Sequence, residues 1–356
     1  MTGRNSETEK AASGRSGGSR DGVAASHTHN LRNRATQWEM LLVYLLVAVF
    51  LVNSFISPYF LNATNLLDST FNFMEKAIMA LPMMLVIICG DIDISVASNL
   101  ALTSVFMGMA SAAGAQAPAL ILIGLVSGSA LGWFNGFLIT RFAIPSIAVT
   151  IGTLSLYRGI ASVILGDHAY TVYPQSFAYF GQGYIPGTHV PFELVLFAVL
   201  AAGTGFLLHR TSFGRRVYAL GNNQTTTRFS GVNVDRYRLM AFTLNGLAAG
   251  IASILLTSRV GSTRPNIATG WELDVITTVV LGGVAITGGK GKIWGVILGV
   301  FLLGFLQFGM GLVNIPGQVM NIADGFILII AIMAPELIRR SRAKASLSAR
   351  IVANVS

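Results

Sequence analysis

The chain has 356 residues, of which 53% are hydrophobic and only 11% are charged. Soluble domains carry roughly 25% charged residues, so this chain could not cover itself with water-compatible surface. The net charge of +9 is concentrated in a few loops and tails. That pattern indicates orientation in a membrane, where Lys and Arg stay on the cytoplasmic side, and argues against a nucleic-acid partner.

The first 38 residues are polar, rich in Gly and Ser, and charged with both signs. A signal peptide places its apolar region early, so this stretch does not match one. We predict a disordered cytoplasmic tail over residues 1–38, with a partner-binding arm as the alternative. A second cytoplasmic tail is predicted over residues 339–356, and a single transmembrane domain over residues 39–338.

Ten apolar segments follow the N-terminal tail, and such blocks of about 18 to 23 residues can cross about 30 Å of hydrocarbon as helices. They lie at residues 40–56, 73–89, 96–113, 118–140, 144–165, 191–208, 239–258, 273–287, 294–311 and 319–334. The third, eighth and tenth are short or interrupted by polar residues. We therefore predict an all-α polytopic membrane protein with about ten transmembrane helices.

The positions of Lys and Arg orient these segments. With ten spans and a cytoplasmic N-terminus, 20 of the 24 basic residues fall inside, and the C-terminus is cytoplasmic too. Two connections are long. Residues 167–190 form an outer loop rich in aromatic side chains, and residues 209–238 form a basic inner loop.

Glycines recur every four residues along the fourth segment. They are Gly124, Gly128, Gly132 and Gly136. Small residues at this spacing let two helix backbones approach closely in lipid. Four in register exceed what the general frequency of Gly in membrane helices explains, so we predict tight helix packing there. Gly246 and Gly250 repeat the pattern more briefly.

We find no enzyme motif in the sequence. The stretch from Gly283 to Gly291 differs by one residue from the spacing of a phosphate-binding loop, and Gly follows Lys290 where Ser or Thr is needed. The single cysteine, Cys89, and five scattered histidines offer no metal-ligand set. We predict a non-enzymatic chain with no metal and no cofactor of its own.

Several charged residues lie in or beside the apolar segments, where charges are costly and are candidates for function. They are Glu75, Lys76, Asp91, Asp93, Arg158 and Asp324. A proton-coupled carrier would hold such groups at mid-membrane, and only Arg158 and Asp324 come near that depth. Terminal or mutually paired charges are the alternative interpretation for each of them.

Three stretches carry a family resemblance. The first is Gly90-Asp-Ile-Asp-Ile-Ser95, the second runs from Arg215 through Gly221-Asn-Asn to Asp235, and the third from Gly270-Trp-Glu-Leu-Asp to Gly291. Together they resemble the ribose-type permeases of the branched-chain amino acid and carbohydrate importer family, over residues 40–335. The family has Gly where this chain has Asp91, which leaves open whether the pathway lining differs.

The first stretch supplies four candidates for lining a translocation pathway. They are Asp91, Asp93, Ser95 and Asn99. Irregular backbone at membrane depth is tolerated only where it faces protein or water, so a broken helix beside the pathway is one interpretation. A simple turn between two helices is the other.

The second stretch corresponds to the segment by which the family couples to a separate ATPase. Its candidate residues are Gly221, Asn222, Thr226, Arg228, Ser230 and Gly231. A short helix near residues 224–230, lying at the cytoplasmic surface, would dock into a groove of that ATPase. An ordinary basic loop is the alternative.

Two carboxylates open the eighth segment on the predicted outer side. Glu272 and Asp274 are candidates for docking a periplasmic binding protein or for lining the outer mouth. Carboxylates in the first turn also stabilise the helix dipole whatever their function.

The resemblance implies a permease subunit of an ATP-binding-cassette importer in the bacterial inner membrane. Its partners would be two ATPase subunits that bind ATP and Mg, a second identical or homologous permease, a periplasmic sugar-binding protein and membrane lipids. A neutral monosaccharide is the expected cargo, with rhamnose and autoinducer-2 permeases as the most similar members. A branched-chain amino acid importer and a proton-coupled secondary carrier are the alternatives.

Overall fold

The structure is a computed structural model that describes residues 20–333, with side chains described from residue 38 onward. The predicted C-terminal tail and the first 19 residues of the N-terminal tail lie outside the described residues. Helix α1 begins at Arg20, within the stretch predicted to be a tail, and its membrane-length apolar part is Trp38–Ile56. The predicted domain limits therefore remain predictions.

The described part of the chain is built from α-helices joined by short turns. In chain order they are α1 Arg20–Ile56, α2 Ala63–Ser69, α3 Met74–Ile88, α4 Val96–Ala112, α5 Ala117–Arg141, α6 Ser146–Leu165, α7 Tyr179–Gln182, α8 Phe192–Arg210, α9 Ser212–Asn222, α10 Gln224–Phe229, α11 Val234–Val260, α12 Trp271–Leu281, α13 Ile293–Leu312 and α14 Gly317–Met333. Two single 3₁₀ turns, Thr70–Asn72 and Gln175–Phe177, and two isolated β-bridges complete the secondary structure of these residues. The all-helical prediction is confirmed.

Among the described residues, six helices are long and apolar enough to span a membrane. They are the apolar part of α1 together with α5, α6, α8, α11 and α13. The pair formed by residues Ala63–Asn72 and Met74–Ile88 is bent by 58° and makes a seventh only if it is counted as one span. Helix α4 has 17 residues and α12 only 11, so they rise about 25 and about 16 Å, less than the thickness of the hydrocarbon. Each of the ten apolar segments coincides with a helix, but ten full spans and the orientation of the termini stay predictions.

Helices α3 and α11 form the centre of the bundle. Helix α3 is apolar on every side and almost entirely buried, as expected of a helix with no polar face. It packs against α8, α11, α12 and α13. Helix α11 also packs against α4 and, more extensively than against any other helix, against α5.

The outward faces of the peripheral helices are apolar. Val126 on α5, Val163 on α6 and Phe206 on α8 are among the many large hydrophobic side chains that are more than half exposed. Such a surface is stable against lipid and not against water. This multi-pass helical bundle is therefore an integral membrane protein.

Glycines bring α5 and α11 into backbone contact. A Cβ added at Gly128 would lie 2.6 Å from the carbonyl oxygen of Gly246, and one at Gly132 would lie 2.6 Å from the Gly246 Cα. Both distances are shorter than any normal carbon contact, so neither position has room for a side chain. The glycine repeat of α5 thus lies against the shorter repeat, Gly246 and Gly250, of α11.

Candidate functional site

The first motif forms a break between α3 and α4. Gly90, with φ of 86°, donates its N–H to the carbonyl of Ile87 at 2.9 Å, and Asp91 N–H donates to Val86 at 3.1 Å. These two bonds form the Schellman motif that ends helices at a glycine in the left-handed region. The chain then runs without helix to Ser95, and α4 begins at Val96. Asp91, Asp93 and Ser95 of the break are buried, whereas Gly90 is exposed.

Asp91 is neutralised by an arginine on α11. Arg238 donates from Nε and from Nη2 to the two carboxylate oxygens of Asp91, both at 2.7 Å. Both side chains are largely buried, so the fork-to-fork geometry compensates two charges that would otherwise be costly. The residue at which this chain departs from the pattern of the family that it resembles thus pairs with a base near the start of α11.

Asp93 lies at the centre of a hydrogen-bond network. One oxygen accepts from Ser95, from both the backbone N–H at 2.9 Å and the hydroxyl at 2.6 Å, and the other accepts from Asn245 of α11 at 2.9 Å. Asn135 of α5 donates to the Ser95 hydroxyl at 2.7 Å, and Tyr157 of α6 donates to Asn135 at 3.0 Å. The network therefore ties the break to three helices.

Asn99 donates to the carbonyl of Gly128 on α5 at 3.1 Å. All four residues proposed to line a pathway are buried within the single chain, each with partners inside it. Their role in translocation remains a prediction. Their partners Arg238, Asn245 and Asn135 were missed in the sequence, although each is a polar residue at or inside an apolar segment and so carries the signal that marks such groups.

The three stretches that carry the resemblance meet at one point. We call it the glycine junction and define it by Gly90, Gly221, Gly288 and Gly289. Gly289 donates its N–H to the carbonyl of Ile88 at 2.9 Å. A Cβ at Gly221 would clash with that same carbonyl oxygen and with the Gly289 nitrogen, both of which are backbone atoms. The end of α9 therefore fits directly against both breaks, after α3 and after α12.

Tyr218 reinforces the junction. Its hydroxyl donates to the carbonyl of Gly291 at 2.6 Å, and Asn222 folds back to donate to the carbonyl of Tyr218 at 2.8 Å. Burial raises the pKa of Tyr218 to about 12, which keeps the hydroxyl protonated and able to donate at neutral pH. Helix α9 and the loop after α12 are thus linked by side-chain as well as backbone contacts.

The predicted coupling segment contains helix α10. Asn223 caps it by accepting from Thr226 N–H at 2.9 Å, and Ser230 donates back to the Thr226 carbonyl at 3.0 Å. Gly231, with φ of 80°, supplies the left-handed turn that leads into α11. Arg228 pairs with Asp235 at 2.8 Å on the surface.

Phe229 ends α10 and is 88% exposed. A phenyl ring so exposed at the predicted cytoplasmic surface is unfavourable in water, so it is the part of α10 best suited to contact another protein. In the sequence, Phe229 stands beside Arg228 in the stretch compatible with a short helix, which marks it as part of the predicted coupling segment.

At the opposite end of the bundle the two predicted docking carboxylates differ. Asp274 accepts from Lys76 of α3 at 2.6 Å, and the Lys76 ammonium also lies 5.1 Å from the centroid of the Trp271 ring. Glu272 has no ion pair, and its Oε2 is buried without a hydrogen-bond partner among the described residues. It lines an open cavity of about 350 Å³ together with Arg158 of α6.

Other charged groups of the helices are arranged in two clusters. Gln307 of α13 donates to Asp324 of α14 at 2.7 Å, and the Lys76 ammonium donates to the side-chain Oε1 of Gln307 at 3.4 Å. In the second cluster, Arg259 donates to Glu75 at 2.7 Å. Among the described residues, no three His, Cys, Asp or Glu side chains come close enough together to hold a metal ion.

Comparison with known proteins identifies the family to which the chain belongs. Residues 65–333 match the family model described as the permease component of branched-chain amino acid transport systems. The chain is 35% identical to the ribose import permease protein RbsC of Escherichia coli K12 over 298 residues, which are 82% of this chain and 91% of that protein.

Two further relatives are autoinducer 2 import system permease proteins LsrD. The one from Klebsiella pneumoniae is 35% identical over 306 residues, 84% of this chain and 92% of that protein. The one from Yersinia enterocolitica is 35% identical over 302 residues, 83% and 91% of the two chains. No solved structure gives a significant match. The chain is a transporter subunit and not an enzyme, and it belongs to the family of branched-chain amino acid transport system permease components.

Proposed function

We propose that this chain is the membrane-spanning subunit of an ATP-driven importer for a neutral monosaccharide in the bacterial inner membrane. The observation that carries the proposal is the glycine junction, where a cytoplasmic segment with an exposed aromatic end meets two broken membrane helices. Relatives named as import permeases support the same function. A second permease, two ATPase subunits and a periplasmic binding protein complete the proposed assembly.

The proposed mechanism couples α10 to the breaks through α9. Phe229 and the neighbouring face of α10 dock on an ATPase subunit, and a displacement of α10 moves the end of α9. Gly221 lies directly against the backbone of Ile88 and Gly289. A movement of α9 toward these two residues would therefore displace both breaks. Packed backbone of this kind transmits displacement rather than absorbing it.

The cargo is proposed to be ribose or a related sugar. Ribose and autoinducer 2 appear in the names of the relatives, and rhamnose rests only on the sequence resemblance. A branched-chain amino acid is the runner-up, because the family model carries that description. Homodimer and heterodimer arrangements are both compatible with this scheme.

The transport function is tested by uptake of labelled ribose and rhamnose in cells that lack or carry this gene. ATP depletion and a protonophore are applied separately. We expect accumulation that requires the gene and ATP but survives the protonophore while ATP is maintained. Accumulation that collapses with the protonophore at constant ATP would instead establish a proton-coupled carrier and move Asp324 and the other intramembrane carboxylates to the centre of the mechanism.

The coupling role is tested by a triple substitution of Thr226, Arg228 and Phe229 to Ala. We expect insertion into the membrane to persist, while uptake and transport-stimulated ATP hydrolysis are lost. The matched control is Phe142→Ala, because Phe142 is also an exposed phenylalanine, 60% accessible, beyond the inner end of α5 and outside the segment. Normal ATPase stimulation in the triple variant would refute the assignment.

A further inference from the structure

We propose that the cavity beside Arg158 and Glu272 is an outward-facing binding site for the cargo, a neutral polyhydroxylated sugar. The cavity lies between α6, α12 and the connection before α12, at the end of the bundle opposite the coupling segment. Its volume of about 350 Å³ falls in the usual range of small-molecule sites, about 300–1,000 Å³. This inference rests on the proposed function and names the residues that would contact the cargo.

Arg158 is held in place and yet keeps donors free. Its Nη1 donates to the carbonyls of Pro265 at 3.0 Å and Ile267 at 2.7 Å, and every hydrogen bond that it makes among the described residues uses that nitrogen. It lies seven residues before the end of α6 at Leu165, about 10 Å along the helix. An arginine within an apolar helix is costly even when backbone carbonyls bind part of it, so it is a candidate for function.

Glu272 supplies an acceptor in the same cavity. Among the described residues, its buried Oε2 has no hydrogen-bond partner, and the carboxylate forms no ion pair with Arg158. Asp274, two residues further on, is already paired with Lys76. A guanidinium and a carboxylate that face one cavity without pairing leave both groups available to a ligand.

The remaining lining favours a sugar over an amino acid. Ser162, Asn266 and Thr269 contribute hydroxyl and amide groups, whereas Leu154 and Pro265 are the only apolar contributors. Sugar hydroxyls both donate and accept, so a guanidinium, a carboxylate and neutral polar groups can satisfy them together. A branched-chain amino acid would find charged partners and the apolar stems of the lining side chains, but its own side chain has no hydroxyl to bond with these neutral polar groups.

Two matched cysteine variants test the site by chemical labelling. Thr269 lines the cavity, Thr188 lies in the outer loop away from it, and both are exposed threonines whose hydroxyls donate to the carbonyl three residues back. Cys89, the native cysteine, is buried. Thr269→Cys and Thr188→Cys are reacted, in the assembled transporter in membrane vesicles of known orientation, with a membrane-impermeant maleimide added on the outer side.

D-ribose, L-rhamnose and L-leucine are then added separately as probes at millimolar concentration. We expect both cysteines to react, and at least one sugar to slow the labelling at position 269 severalfold without changing it at position 188. Protection by L-leucine alone, no protection by either sugar, or a cysteine at position 269 that the maleimide cannot reach would each overturn the proposal.

Uptake by substituted transporters gives an independent measurement. Glu272→Gln keeps the shape of the side chain and removes its charge, so we expect the KM for the transported sugar to rise about tenfold with the maximal rate preserved. Arg264→Gln, an exposed arginine in the same connection but outside the cavity, should change the KM less than about twofold. Equal effects of the two variants would contradict the assignment.

Different experimental results would refute the proposed transport mechanism and the proposed binding site. Labelling and its protection require no ATP, so sugar protection without ATP-driven uptake would refute only the transport mechanism. ATP-driven sugar uptake without protection at position 269, and with an unchanged KM for Glu272→Gln, would refute only the binding site.

Discussion

The two ends of the bundle differ in whether their charged side chains pair with each other. At the end that carries α10, both oxygens of Asp91 are bound by Arg238, and Asp93 accepts from Ser95 and Asn245. At the outer cavity, Arg158 and Glu272 face the same space without pairing. Polar groups that saturate one another hold a backbone in place, whereas polar groups left unsaturated around a cavity are available to a ligand.

The largest expected effect comes from breaking the inner pair. Arg238→Gln leaves the Asp91 carboxylate buried without its partner, which should lower the free energy of unfolding by about 3–5 kcal/mol. Thermal unfolding in detergent measures the change. Arg228→Gln is the matched control, because its pair with Asp235 is exposed and should contribute less than about 1 kcal/mol.

The double variant Asp91→Asn/Arg238→Gln sharpens this test. With both charges removed, no buried charge lacks a partner, so the double variant should be more stable than Arg238→Gln alone. Additive losses from the two substitutions would show that the pair does not stabilise the break.

A smaller effect is expected from two carboxylates at the outer half. Glu75→Gln removes the partner of Arg259 and should cost about 1–3 kcal/mol. Glu193 is buried close by, and neither of its oxygens has a hydrogen-bond partner among the described residues, so Glu193→Gln should leave stability unchanged or raise it. The same unfolding measurement compares them, and an equal loss from both would show that Glu193 is as firmly bound as Glu75.

The smallest effect is expected at the edge of the glycine junction. Tyr218→Phe removes one hydrogen bond to Gly291 and should cost about 1 kcal/mol. Because the pKa of Tyr218 is raised to about 12, its contribution is fully present at neutral pH and is lost as the pH rises through that value. Tyr59→Phe, on an exposed tyrosine whose hydroxyl makes no hydrogen bond among the described residues, is the control.

The sequence predicts the helices well but not where they end inside an apolar run. The segment at residues 273–287 is predicted as one span because Gly282 and Gly283 do not interrupt the apolar run. In the structure α12 stops at Leu281, since Gly283 adopts a φ of 84° and turns the chain. A hydropathy pattern reports the environment of residues and not the direction of the backbone.

Which charged residues pair with each other could not be predicted from the sequence, for a different reason. Asp91 and Arg238 are separated by 147 positions, and nothing local to either residue specifies the other. The tight glycine spacing of α5 predicted a close helix contact, yet only the fold identifies α11 as the helix against it. Long-range partners follow from how the helices pack, and this is not encoded in any single motif.

Substitution of Gly221 by Ala tests the central claim most directly, namely that α9 transmits movement to the two helix breaks. A methyl group there would clash with backbone of both breaks, whereas Gly203→Ala on α8 meets no atom within 4 Å and serves as control. Measured in vesicles with the partner ATPase, Gly221→Ala should retain ATP hydrolysis and lose sugar uptake by about tenfold or more, while Gly203→Ala transports normally. Normal coupled uptake by Gly221→Ala would contradict the account.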